Sequence, residues 1–267
     1  MSTATLTQMS GSRVTLPRVM HMEWIKFWSL RSTIYTLAVA LLVTVGIGTL
    51  STALVDFKAN GPAANDPTWD SLYGITIAAL ATAVLGVLMT TSEYGTGTIR
   101  ATLAAVPARL PVLWAKVAVF AAGSFIFTFA AGLAAFLAGQ AILSARDLDS
   151  ATLFDPGAFR AVVGAAVYLT GAGLIGVAIG SLLRHTAGAI TAVIGALFLA
   201  PSLLPLLPGS IRDTVNPYMP LNAAQAFITV NGPGGGDLSP WAGLAVYAGY
   251  LVVLVVWAAV MLKRRDA

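Results

Sequence analysis

The sequence predicts an all-α integral membrane protein with six transmembrane helices, and three observations carry that prediction. Charged residues make up only 10% of the 267 positions and hydrophobic ones 57%, whereas a soluble domain carries about 25% charge. Six apolar windows without Asp, Glu, Lys, Arg or His cover residues 32–55, 71–92, 117–145, 161–183, 186–211 and 238–262. Each contains at least 22 residues, and a helix crosses a hydrocarbon core of about 30 Å in about 20. Barrel strands, which alternate polar and apolar positions over about 10 residues, do not fit these runs. The third observation is a charge bias between alternate loops. Eleven of the fifteen Lys and Arg residues fall before the first window, between the second and third, between the fourth and fifth, or after the last. Eight of the eleven acids fall on the opposite side. The positive-inside rule then places both termini in the cytoplasm of a cell (plasma) membrane protein. The same bias accounts for the pI near 9.6 without a nucleic-acid partner, since no basic run exceeds Lys263–Arg265.

Residues 1–16 are rich in Ser and Thr and are expected to form a mobile tail. Residues 17–267 form a single transmembrane domain, with spans at about 32–55, 71–92, 113–144, 161–183, 187–207 and 239–262. Pro17 suits the first turn of a helix reaching Arg31. Met20, Trp24, Phe27 and Trp28 share one face of it, while Arg18, Glu23, Lys26 and Ser29 lie broadly opposite. That division predicts an amphipathic helix in the membrane interface, with Arg18, Trp24, Lys26, Trp28 and Arg31 as its anchoring residues. The first apolar window begins too far in and runs too long for a signal-peptide core, so a retained anchor is expected.

Residues 56–70 and 146–160 are expected to be short outer loops. Pro201, Pro205 and Pro208 should break the fifth span at its outer end. The weakly apolar, charge-free stretch over 217–231 is expected to re-enter the outer leaflet, before "NGPGGGD" turns the chain into the last span. Gly176 and Gly180 form a GxxxG pair, and Gly123, Gly132, Gly188 and Gly195 are further expected points of close helix approach.

The chemistry that is missing narrows the function. No ionisable residue lies within a window, which disfavours proton-coupled carriers and intramembrane proteases. His21 and His185 sit at the inner edge and read as interfacial residues. There is no cysteine, hence no disulfide framework or cysteine metal site, and no GxxxxGK[ST] loop for ATP phosphates. No catalytic, metal or cofactor residue is expected on this chain, which is read as a non-enzyme. Sodium coupling through broken helices is a weaker alternative. A transporter of this kind takes its energy from another polypeptide, gripped on the inner side, where only one loop is substantial.

That loop reads "EYGTGTIRATLAAVPARLPVLWAK". Gly95 and Gly97 permit a sharp turn, "TIRATLAAV" suits a short helix stopped by Pro107, and Trp114 and Lys116 mark the start of the third span. The stretch resembles the loop between the second and third spans of type-2 ABC exporter permeases, at Glu93, Gly97, Thr98, Ile99, Arg100, Leu103, Pro107, Arg109 and Lys116. The resemblance implies a coupling helix here, with Arg100 and Arg109 facing ATPase carboxylates and the interfacial helix as a second contact. It implies pairing with a second permease copy, cytoplasmic ABC ATPase subunits that carry ATP and Mg, and export of a small amphipathic or lipophilic substrate across the lipid bilayer. Phe125, Phe127, Phe198, Pro201 and Pro205 are candidate pathway or gate residues. Removing Glu93 or reversing Arg100 is then expected to abolish transport while sparing insertion. The alternative is a non-transporting scaffold or sensor that docks a cytoplasmic partner through the same loop.

Overall fold

The computed structural model describes residues 15–54, 66–230 and 238–264. The expected tail over 1–16 lies outside the described residues except for Thr15 and Leu16, as do most of the outer loop and the whole of "NGPGGGD". Twelve α-helices, joined in places by short π or 3-10 turns, make up the described chain. They are α1 (Leu16–Ser29), α2 (Arg31–Leu54), α3 (Pro67–Leu72), α4 (Ile75–Gly95), α5 (Thr98–Ala105) and α6 (Leu110–Ala145). After these come α7 (Ala158–Leu183), α8 (Thr186–Ile194), α9 (Ala200–Leu203), α10 (Gly209–Val215), α11 (Pro220–Ile228) and α12 (Pro240–Arg264). No strand occurs among the described residues. Six segments are long and apolar enough to cross a membrane: Arg31–Leu54, Pro67–Gly95, Leu110–Ala145, Ala158–Leu183, Thr186–Leu206 and Pro240–Arg264. The chain is thus an all-helical, multi-pass membrane protein.

Two of these spans start four or more residues before their apolar windows. Residues 67–70, expected as loop, are helical because the Asp66 carboxylate accepts from the backbone N–H groups of Thr68 (3.0 Å) and Trp69 (3.2 Å), while Pro67 occupies the first turn. The helix of the third span starts at Leu110, seven residues before its apolar window, and Lys116 lies two turns inside it.

The bundle is organised around α7, the most buried span. It packs against α4, α6, α8, α11 and α12, while α2 lies outside against α4 and α6. Lipid tails are as apolar as the side chains, so close backbone approach does much of the work of association. The tightest approach is between α4 and α7. A Cβ added to Gly86 would sit 1.8 Å from the Gly173 carbonyl oxygen, and one on Gly176 would sit 2.1 Å from the Ala83 carbonyl oxygen. The GxxxG pair therefore has a partner, the second span. Gly123 is also in a tight contact, with the Phe27 ring of α1. The expectation fails for two others: Gly195 has nothing within 4 Å, and Gly188 meets only His185 Nδ1 at 3.6 Å, its own helix cap. Both are on the half-exposed fifth span.

That fifth span is irregular, as its prolines require. Gly195–Leu199 is a π turn in which the Ala200 N–H donates to the Gly195 carbonyl. Pro201 has no N–H, and its ring crowds the carbonyl four residues earlier, which a wider turn relieves. A 3-10 turn at Leu204–Leu206 follows, and the chain becomes extended at Leu207. Further on, α11 buries Ala223, Ala224, Phe227 and Ile228 in packing against α7 and α12. The Arg160 guanidinium of α7 donates to the carbonyls of Phe227 and Thr229, and the Asp66 carboxylate accepts from the Val230 N–H.

The α4–α7 contact generates a test. Gly86→Ala forces the two backbones apart and is expected to lower stability by about 3 kcal/mol, read as a lower midpoint of unfolding in mixed detergent. Gly46→Ala, where nothing lies within 4 Å, should leave the midpoint unchanged or slightly raised.

Candidate functional site

At the end of the bundle that carries α5, the segment between α4 and α6 folds as a compact cap. Gly97 adopts φ +73°, the left-handed conformation that lets the chain reverse, whereas Gly95 simply ends α4. The next eight residues form α5, and its buried Ile99 and Leu103 join Val106, Val112, Ala115 and Val19 in one apolar cluster. This cluster seats α5 on both α1 and the start of α6. Arg100 points away from it and is exposed. The chain turns at the exposed Pro107 and passes through Arg109, a non-glycine residue at φ +56°. Such a conformation is costly and persists only where its surroundings enforce it.

Beneath the cap lie four charges. The Lys116 ammonium, buried in α6, donates to Glu23 Oε2 of α1 at 2.8 Å and to Glu93 Oε1 of α4 at 2.8 Å. It also reaches the Met89 carbonyl at 3.5 Å. The Lys26 ammonium donates to Glu23 Oε1 at 3.1 Å and to Glu93 Oε1 at 3.0 Å. Two carboxylates and two ammoniums thus form a closed, electrically neutral ring that ties three helices together. Glu23 is fully buried, and only Lys26 is appreciably open, its side chain being 34% exposed. Burial acts to lower the Lys26 pKa, but the charges and hydrogen bonds of Glu23 and Glu93 outweigh it and hold the pKa above its ordinary 10.5. Glu93 Oε2 is the exception to this completeness, a shielded oxygen with no hydrogen-bond partner.

This arrangement redraws the faces of α1. Its buried residues are Val19, Glu23 and Phe27, a stripe with a four-residue step that crosses the apolar and polar faces read from sequence. Phe27 leaves the aromatic face to pack edge-on against Phe120, and Glu23 leaves the polar face to meet Lys116. Arg18 and Trp24 are exposed and Trp28 is half-buried against Phe127; Arg31, expected to end this helix, is exposed at the start of α2 instead.

Glu93, Thr98, Ile99, Arg100, Leu103, Pro107 and Arg109 are therefore gathered into one structural unit. Within it, the Thr98 hydroxyl faces the Glu93 carbonyl at 3.5 Å. Among the described residues no ring contact joins the candidate pathway phenylalanines. Phe125 stacks on Phe129, Phe127 packs on Trp28, and Phe198 rests against the main core. The sequence reading missed Glu23 and the pairing role of Lys116. A signal was present: a lysine within an apolar helix requires a carboxylate, and the same side of the membrane offers only Glu23, Glu93 and Asp266.

A cavity of about 380 Å³ opens between α1, α5 and the ends of α4 and α6. The four charges form part of its lining, with Phe27, Leu30 and Met89 contributing apolar wall. The sequence matches no model of a known protein family and no curated protein, so the functional reading rests on the residues themselves.

Two outcomes follow from the ion ring. Removing one member leaves its partner buried and uncompensated, so Lys116→Met is expected to cost about 3–5 kcal/mol in the same unfolding measurement. Glu93→Ala should also be destabilising, so the loss of Glu93 does not spare the fold as the loop alone implies. Arg100→Ala should change stability by less than about 0.5 kcal/mol. The second outcome concerns Lys26. Because its pKa is raised on folding, its contribution is complete below 10.5 and is lost as pH climbs through the raised value. The difference in unfolding midpoint between wild type and Lys26→Met should be constant at neutral pH and shrink only above 10.5.

Proposed function

We propose that this chain is the permease subunit of an ATP-driven exporter of the type-2 ABC class. In this reading two permeases form the translocation pathway for an amphipathic or lipophilic substrate, and separate cytoplasmic ATPase subunits supply the energy. Both termini and α5 face the cytoplasm, and the irregular segment ending in α11 lies in the outer leaflet as a re-entrant element. The observation that carries the proposal is the construction of α5. One side of this short helix is fixed by Ile99 and Leu103 to α1 and α6, and the other offers an exposed Arg100.

A coupling element needs both properties: an outward face for the ATPase and a stiff attachment to the spans. The ion ring supports the second requirement, because Lys116 and Glu93 join the helices on either side of α5 and Glu23 joins them to α1. A displacement of α5 is then carried into three helices as a unit. The lack of an ATP-phosphate loop in the sequence agrees with an energy source on another chain.

Arg100→Glu separates this proposal from ordinary loop charges. At a desolvated contact the reversal costs about 2–5 kcal/mol of docking free energy, and at an exposed rim under about 1 kcal/mol. The expected outcome in a reconstituted complex is loss of substrate transport and of stimulated ATP hydrolysis, with the purified permease as stable as wild type. Wild-type transport by this variant would remove the proposal. An ATPase that docks but shows no substrate-dependent hydrolysis with the native chain would favour the scaffold reading. Orientation is checked separately, since the chain has no native cysteine. A cysteine at Ala104 should be labelled by impermeant maleimide only from the cytoplasmic side.

A further inference from the structure

The described residues carry two acids at the α5 end of the bundle, Glu23 and Glu93, and both are buried and paired with Lys26 and Lys116. Two negative and two positive charges therefore cancel inside the protein. What that end shows to its surroundings is the remainder, and the remainder is cationic. Arg18, Arg31, Arg100, Lys263 and Arg264 are exposed there, with no exposed acid among the described residues of that end. Such a surface attracts anions, and the residues around each cation decide which kind.

The cations stand in two settings. Around Arg100, α5 exposes only threonine and alanine, because its large apolar residues, Ile99 and Leu103, are buried. The surface of α1 is the reverse. Met20, Trp24 and Ile25 are exposed on it beside Arg18, and Leu30 and Arg31 follow, also exposed, where the first span begins. Glu23, the one acid of α1, is hidden in the ion ring, and the charge of Lys26 is offset there. The exposed surface of α1 is thus apolar and positively charged together. A zwitterionic leaflet would receive the apolar side chains at its interface but offers the arginines no net charge. A soluble acidic partner would meet the arginines, yet Trp24, Ile25 and Leu30 adjoin a span and so already lie against lipid. An anionic leaflet answers both properties.

We propose that the exposed face of α1, together with Arg31, is a binding surface for anionic phospholipid, with Arg18 and Arg31 each holding a headgroup phosphate. The planar guanidinium suits this role because its N–H groups donate in parallel to two phosphate oxygens. The arginines stand at opposite ends of a 14-residue helix, about 20 Å long, so they gather separate lipids instead of gripping one. His21, exposed between them, adds an N–H donor in either charge state. The ring and the surface are linked: with Glu23 turned outward, the same helix would carry a carboxylate among the headgroups and repel them. The inference goes beyond the transport reading and does not rest on it.

The test uses the full chain alone in phosphatidylcholine nanodiscs, whose two leaflets are alike, so orientation does not enter. Because no native cysteine exists, Ile25→Cys carries a single bimane label on α1 between the arginines, and Leu206→Cys carries one at the other end of the bundle. Both positions are exposed. Quenching is titrated with nitroxide-bearing phosphatidylglycerol or nitroxide-bearing phosphatidylcholine. At Ile25→Cys, phosphatidylglycerol should reach half-quenching at about fivefold lower mole fraction, whereas at Leu206→Cys the two lipids should agree. The preference should fall to within about twofold when Arg18→Gln and Arg31→Gln are combined, and should survive Arg100→Gln. If the double variant inserts poorly, salt decides on the native charges: at about 1 M, where screening acts over about 3 Å, the preference should vanish. Equal quenching by both lipids at Ile25→Cys would overturn the proposal and leave the arginines to a protein partner. A preference that persists without Arg18 and Arg31 or in high salt, or one lost equally with Arg100→Gln, would overturn it as well.

Discussion

Burying two carboxylates and two ammoniums at the edge of an apolar bundle is a constraint on everything around them. None of the four can be withdrawn alone without stranding a charge in a poorly solvated place. Glu23, Glu93 and Lys116 belong to α1, α4 and α6, so the positions of those helices are interdependent. The ring also explains why α1 is seated rather than merely adsorbed. Phe27 fits against Gly123 and Phe120 one turn beyond Glu23, so the ionic and apolar contacts of α1 share one stripe.

The ring is stiff at one end of a molecule whose stiffness is uneven. Backbone-to-backbone contact between α4 and α7 leaves no room for a methyl group at Gly86 or Gly176, and tightly packed elements transmit displacement instead of absorbing it. The fifth span is the opposite case. It is half-exposed, broken by a π turn and a 3-10 turn, and its glycines make no close contacts beyond one helix cap.

The cap formed by α5 draws on both the apolar and the ionic contacts at that end of the bundle. Its apolar side is shared with α1 and α6, its lower edge rests over the charge ring, and its remaining face is free of intramolecular packing at Arg100.

Length and apolarity are properties of a linear sequence, and the six spans could be read from them directly. So could the break in the fifth span, since proline lacks a donor wherever the helix goes, and the α5 cap, since Gly97 and Pro107 bracket it. Lys116 reads only as a boundary residue, although a lysine within an apolar helix needs a carboxylate. Which carboxylate answered was decided only in three dimensions, as was the inward turn of Glu23 away from its expected polar face. The same holds for Gly176, which found a partner in α4, and for Gly195, which found none. The reason is that an all-apolar helix has no distinct polar face to orient it. Periodicity tells which side chains share a face, but which face meets which neighbour depends on where close approach and charge pairing are satisfied together, and that is a property of the assembled bundle.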